Sequence, residues 1–175
     1  MDIKEVECEK TCLPCPINTL KEGKTFFIQI PNLPTLCTAV FDDWKDNLVN
    51  CTQGITVTKG NCEQAVEVKL CEGTPSEQTL TCCLALDYLK LTGSIEIWFN
   101  IEGSCISDCV QEPVPYFFHA ITTVDIDELC YYCDGTAPDI SQSDLCLLFD
   151  IKVINVDANG VIEYTVQFID CPPVV

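Results

Sequence analysis

The chain has 175 residues, 15 of them cysteine, and carries 27 Asp and Glu against nine Lys and no Arg, for a formal net charge of −18. This length fits one domain that can bury a core. The charge argues against nucleic acid or an anionic membrane as a partner, since affinity for polyanions depends on clustered Lys and Arg, and no apolar run approaches the roughly 20 residues that span a bilayer.

The cysteine content raises the question of the redox compartment. Fifteen cysteines is the level of disulfide-rich secreted chains, whereas residues 1–6 lack the basic and apolar regions of a secretory signal. We therefore expect a protein made without a signal peptide and oxidised later. Reduced thiols that bind metal, or a leader removed before this numbering, are the alternatives. The odd count leaves at least one thiol free, bound to a ligand or paired between chains.

The chain divides into a cysteine-rich N-terminal arm, residues 1–24, and a β domain, residues 25–175. Residues 25–31 are rich in β-formers and predict the first strand. Apolar residues then recur at helical spacing, although 37–41 could equally form a strand. A short helix or an irregular crossover is therefore predicted near 34–49.

From Gly54 onward the apolar period is two, which is typical of half-buried strands. The predicted elements, in order, are strands at 55–58 and 65–71 with a turn at 59–61, a hairpin over 80–101 that turns at Thr92-Gly93, a strand at 116–126, and a hairpin of 147–156 with 161–169. This alternation predicts an all-β fold, an antiparallel β-sandwich or jelly roll.

The last hairpin allows one geometric prediction. If Val156 lies opposite Val161, then Cys146 lies opposite Cys171, at a Cα separation within reach of a disulfide. Two long loops also carry cysteine pairs, one Cys105 and Cys109, the other Cys130 and Cys133. Candidates for bonds within the chain are Cys146, Cys171, Cys105, Cys109, Cys130 and Cys133.

Two thiolate motifs raise the alternative of a metal- or cluster-binding protein. Cys8, Cys12 and Cys15 have the spacing of the iron–sulfur motif of radical S-adenosylmethionine enzymes, but those enzymes need a β/α barrel, and this chain reads as strands. The pairs Cys12/Cys15 and Cys130/Cys133 could together bind zinc, although nothing but spacing links them. We expect no metal and no cofactor.

The sequence contains no recognisable set of catalytic residues. His119 is the only histidine that could activate a thiol, and a lone histidine in a strand is more often packed or exposed than catalytic. No glycine-rich phosphate loop or nucleophile elbow occurs. We therefore predict that the protein is not an enzyme.

The doublet Cys82-Cys83 indicates links between copies. Neighbouring residues in a strand point to opposite faces, so the two thiols cannot easily share one partner, and one of them should face outward or towards another strand. Cys82 and Cys83 are therefore candidates for bonds between copies.

The signal-less start, the arm with its cysteines, the Cys82-Cys83 doublet and the Arg-free acidic composition resemble the cysteine-rich surface proteins of bacterial endospores, namely exosporium or coat components and endospore-appendage subunits. The resemblance implies a jelly-roll subunit whose arm forms disulfides with neighbouring subunits. It would make Cys8, Cys12 and Cys15 candidates for intermolecular bonds.

The expected function is that of a structural protein that self-assembles into a filament or lattice on a spore or cell surface. Exposed strand edges would dock on further copies, and disulfides would make the docking permanent. Copies of itself and other surface-layer proteins are the expected partners. A secreted binding module whose cysteines pair only within the chain is a further alternative.

Overall fold

The fold is described by a computed structural model, which covers residues 7, 8, 10–17, 23–109, 112–140 and 145–174, without the side chains of 7, 47–50 and 53. These residues form antiparallel strands and one short 3-10 helix, Leu145–Leu148. The strands are β1 Glu7–Cys8, β2 Lys24–Gln29, β3 Thr38–Leu70, β4 Gln78–Ile106, β5 Val114–Cys133, β6 Phe149–Val156 and β7 Val161–Phe168.

The larger sheet is built on β4. β3 pairs with β4 from Thr38 opposite Ile106 to Leu70 opposite Gln78, with register shifts between Val40 and Lys45 and between Asp46 and Leu48. β5 pairs with the other edge of β4, from residue 86 to 105, and β1 pairs with residues 82 and 83 beyond the end of β5. A strand of 29 residues is roughly 95 Å long, so this sheet is far longer than an ordinary one.

The smaller sheet has three strands in the order β2-β7-β6. Its β6–β7 turn is fixed by Asp157, whose Oδ1 accepts hydrogen bonds from the backbone N–H groups of Asn159 and Val161 at 2.9 Å each. Gly160 closes the turn in the left-handed region at φ 78, where glycine has no steric cost. The residues that form this turn are adjacent in the sequence, and the hairpin was predicted from them.

The two sheets pack face to face around one core, which makes the protein an all-β sandwich and confirms the predicted fold class. Tyr164 of β7 lies at the contact, with its ring centroid 4.8 Å from that of Phe99 and 5.5 Å from that of Phe26. Other fully buried side chains come from β4 at every second position: Leu91, Ile95, Ile97 and Ile101. The alternation in the sequence thus corresponds to one face of β4 against the small sheet.

Three local predictions are corrected by the structure. Residues 34–49 form no helix: an irregular stretch ends at residue 37 and β3 begins at Thr38, which agrees with the alternative of a strand at 37–41. The predicted turns at 59–61 and at Thr92-Gly93 lie inside continuous strands. At both places the glycine serves close packing: a Cβ on Gly93 would overlap the Gly54 carbonyl oxygen, and one on Gly60 would overlap the Tyr88 ring.

Across the described ranges, no helix is long and apolar enough to cross a membrane.

Candidate functional site

β5 ends opposite Leu86, and β3 and β4 continue past it as a two-stranded ribbon. We call the paired segments 62–70 and 78–86 the distal ribbon. No residue of this ribbon belongs to the main core. Three of its side chains are nevertheless almost fully buried: Cys62, Cys82 and Cys83 are 1–5% exposed. Their burial requires a cover, and the N-terminal arm supplies it.

Three disulfides attach the arm to the ribbon. Cys8 bonds to Cys82, Cys12 to Cys83 and Cys15 to Cys62. The bonds close loops between residues 74, 71 and 47 positions apart in the sequence. Cross-links over such long loops remove much of the conformational freedom of the unfolded chain.

The three bonds reach both faces of the ribbon. Because strand residues alternate, Cys83 lies on the face that holds Leu91 and Ile95, whereas Cys82 lies on the opposite, outer face. Cys62 lies on the outer face as well, opposite Leu86 in the ladder. The arm therefore bonds to the outer face at Cys8, to the inner face at Cys12 and again to the outer face at Cys15.

Hydrogen bonds show the path between these faces. The Glu63 backbone N–H donates to the Leu13 carbonyl oxygen at 2.7 Å, which places Leu13 at the edge of β3 that faces away from β4. Further on, the Tyr131 hydroxyl of β5 donates to the Pro16 carbonyl oxygen. The arm thus starts on the free edge of β4, crosses the inner face, passes the edge of β3 and returns over the outer face, encircling the ribbon.

Glu63 is the main polar anchor of the arm. Its carboxylate accepts the Leu13 backbone N–H at 3.2 Å and pairs with the Lys10 ammonium at 3.2 Å. The Leu13 hydrogen bond, followed by Lys10, holds the pKa of Glu63 below its usual value, so the carboxylate stays charged to lower pH than an isolated glutamate. Charge-assisted hydrogen bonds of this kind fix orientation as well as adding energy.

The arrangement corrects the prediction of bonds between copies. All five candidates for intermolecular bonds, Cys8, Cys12, Cys15, Cys82 and Cys83, lie in disulfides within the chain. The reason is that β1 adds to the free edge of its own β4, which brings the arm thiols beside the doublet. The doublet does point to opposite faces, and its two members have different partners.

The other three disulfides lie outside the ribbon, and one of them holds the irregular stretch before β3 against β4. They link Cys37 to Cys105, Cys51 to Cys146 and Cys130 to Cys171. Cys146 and Cys171, predicted as partners, are therefore bonded elsewhere. The predicted register does hold from Phe149 opposite Phe168 to Val153 opposite Tyr164, but the 3-10 helix replaces the strand at residue 146, so Cys146 turns towards β3.

Cys71, Cys109 and Cys133 form no disulfide, and all three are exposed. Cys71 begins the turn between β3 and β4, with φ 55, where the Thr74 hydroxyl donates to its carbonyl oxygen at 2.7 Å. Cys109 lies in the loop after β4, and Cys133 ends β5. Cys109 and Cys133, predicted to bond within the chain, thus have no disulfide partner there. Cys71 was not among the predicted sites, although its place near Gly73 and Pro75 indicates an exposed turn.

The structure also separates the proposed metal ligands. Cys8, Cys12 and Cys15 bond to three different cysteines, and Cys15 and Cys130 have partners outside the suggested zinc set. His119 is exposed on the outer face of β5. In the disulfide-bonded protein these thiols therefore cannot act as the iron–sulfur or zinc ligands that their spacing suggested.

Asp87 positions the turn that carries Cys133. It is 4% exposed, and its carboxylate accepts the Gly135 N–H at 2.9 Å. With the Asn61 amide turned so that both of its polar atoms are satisfied, the Asn61 NH₂ also donates to this carboxylate, at 3.0 Å. We expect Asp87→Ala to lower the free energy of unfolding by about 1.5–3 kcal/mol, because it removes the hydrogen bonds that a charged carboxylate accepts at the turn. Denaturant unfolding measures this, with exposed Asp125→Ala as the control; equal effects of the two changes would contradict the role of Asp87.

Six disulfides in one chain are the pattern of proteins that reside in an oxidising environment. Comparison of the chain with protein-family models, with curated proteins and with solved structures found no match.

Proposed function

We propose that this chain is a non-enzymatic structural protein that self-assembles through disulfides between copies, as a filament or lattice on a spore or cell surface. One observation carries the proposal: twelve cysteines are bonded within the chain, and the remaining three, Cys71, Cys109 and Cys133, are all exposed. They replace the arm cysteines as the groups that link copies. The resemblance to endospore surface proteins supports the location.

The positions of two free thiols favour a linear assembly. Cys71 lies just before β4 and Cys109 just after it, so they stand at opposite ends of a strand roughly 95 Å long. A bond from Cys71 of one copy to Cys109 of the next is a head-to-tail contact. Such contacts give an open filament unless the rotation between copies closes a ring.

Strand edges offer the reversible docking that would precede the bonds. β5 pairs only with β4 among the described strands, so from Val114 to Val124 its other edge lies outside any described ladder and can accept a further strand. From Val114 to Val124 this strand carries no Asp, Glu or Lys, and a groove of about 400 Å³ runs beside residues 116–121, walled by Ile30, Pro31 and Asn32. An uncharged edge suits contact between copies that each carry a charge of −18.

Electrophoresis of oxidised protein without reductant tests the proposal. We expect a ladder of multimers that collapses to a monomer on reduction. The triple variant Cys71→Ser, Cys109→Ser, Cys133→Ser should stay monomeric, with an intact mass lower by twelve hydrogens than that of its reduced form. The single variant Cys133→Ser should still form the ladder, because it keeps both end thiols.

Two results would contradict this assignment. Multimers of the triple variant that revert to monomers on reduction would show that the arm cysteines exchange between copies. A clean wild-type monomer with three alkylatable thiols would instead favour the secreted binding module, which the six intrachain bonds also suit.

A further inference from the structure

One group of side chains outside the free thiols has the composition of a metal site. The Sγ atoms of Cys12 and Cys83 and a carboxylate oxygen of Glu63 all lie within 4.8 Å of one another. Cys83 is buried, and the other two are half-buried. In the oxidised protein the two sulfurs are bonded to each other, so the group can act as a ligand set only when that bond is reduced.

The β3–β4 ladder places two of the three ligands whether or not the disulfide exists. Glu63 lies opposite Ala85, and Cys83 lies opposite Ala65. Glu63 and Cys83 are thus diagonal neighbours on the inner face, a geometry in which long side chains reach each other. The ladder continues on both sides of this position, so reduction of the arm bonds leaves this pair of ligands in place.

The arm brings the third ligand and supports the carboxylate. Leu13, next to Cys12, exchanges backbone and side-chain hydrogen bonds with Glu63. The N–H of Leu13 binds one carboxylate oxygen, Oε2, while Lys10 binds the other, Oε1. A cation at the Lys10 position would therefore find a carboxylate already oriented by a hydrogen bond, as the ligands of protein metal sites usually are.

We propose that, in the reduced protein, Cys12, Cys83 and Glu63 bind a zinc ion that holds the arm on the ribbon before the Cys12–Cys83 disulfide forms. Two thiolates and one carboxylate are ligands that zinc accepts, with water in the fourth position. Zinc takes the place of the Lys10 ammonium at Oε1 and displaces one proton from each thiol. This inference is independent of whether copies of the chain assemble.

The test uses the full chain reduced by a phosphine, which does not compete as a thiol. Reduction consumes one phosphine and one water for each disulfide, giving the phosphine oxide and two thiols. Zn²⁺ is then added, the thiols are alkylated for increasing times, and the modified cysteines are identified by peptide mass. We expect zinc to slow alkylation of Cys12 and Cys83 at least about tenfold, with Cys71 and Cys109 unchanged.

Matched variants show whether the site is this one. Glu63→Gln should raise the Zn²⁺ concentration that gives half-maximal protection of Cys12 and Cys83 by about 10-fold or more, whereas Glu67→Gln, four residues along the same strand and face, should leave that concentration unchanged. Mg²⁺ should not protect either thiol, because it prefers oxygen ligands. Protection of other cysteines alone, or equal protection in Glu63→Gln and wild type, would overturn the proposal.

Discussion

Gly93→Ala is expected to lower the free energy of unfolding by about 3 kcal/mol or more, from backbone strain and overpacking together. Gly93 has φ 125, a conformation that costs an alanine, and a Cβ there would overlap the Gly54 carbonyl oxygen of the neighbouring strand. Neither the oxygen nor the backbone that holds it can move without breaking the β3–β4 ladder. The free energy of unfolding in denaturant, with disulfides intact, measures the effect.

Gly73→Ala is the matched control for this change. Gly73 also has a positive φ, of 75, but nothing lies within 4 Å of the position its Cβ would take. Alanine there should cost only the backbone strain, about 1–2 kcal/mol. If the two variants lose the same stability, the close approach of β3 and β4 at Gly54 and Gly93 is not present.

The class of fold and the last hairpin could be predicted because their signals are local. Apolar alternation reports which residues share a face, and the Asp157–Gly160 turn contains both the residue that caps it and the glycine that closes it. The predicted register of β6 and β7 is confirmed over 149–153. The register departs from the prediction at the bulge between Val153 and Asn155, which no local sequence pattern indicates.

The length of the strands could not be predicted because a glycine can mark either a turn or a close contact between strands. In Thr92-Gly93 and around Gly60 it resembles a turn residue, yet both glycines permit close contact between strands instead. Whether each glycine marks a turn or a close contact depends on Gly54 and Tyr88, residues that become neighbours only after β3 and β4 pair. Each long strand was therefore predicted as several shorter ones.

The disulfide connectivity could not be predicted for a similar reason. The partners lie 41 to 95 residues apart, and cysteine spacing alone does not determine connectivity. What could be argued locally, that Cys82 and Cys83 point to opposite faces, agrees with the structure. What depended on the path of the arm, namely whether their partners belong to the same chain, did not.

Tyr164→Ala tests the contact between the two sheets and is expected to cost about 3–5 kcal/mol, the usual loss when a large buried aromatic is truncated. Tyr164 is 2% exposed and packs on Phe99 of the large sheet and Phe26 of the small one. Burial raises the pKa of its hydroxyl, which bonds to Thr122.

Tyr164→Phe separates the two contributions, because it keeps the ring and loses only the hydrogen bond, at about 1 kcal/mol. Gln167→Ala, exposed on the same strand, should stay within about 0.5 kcal/mol of wild type. A loss below about 1 kcal/mol in Tyr164→Ala would mean that the small sheet does not cover β4 at Phe99, and the sandwich itself would be in question. A large loss in Tyr164→Ala with a small one in Tyr164→Phe would place the stability of the domain in aromatic packing between the sheets, which the disulfides supplement.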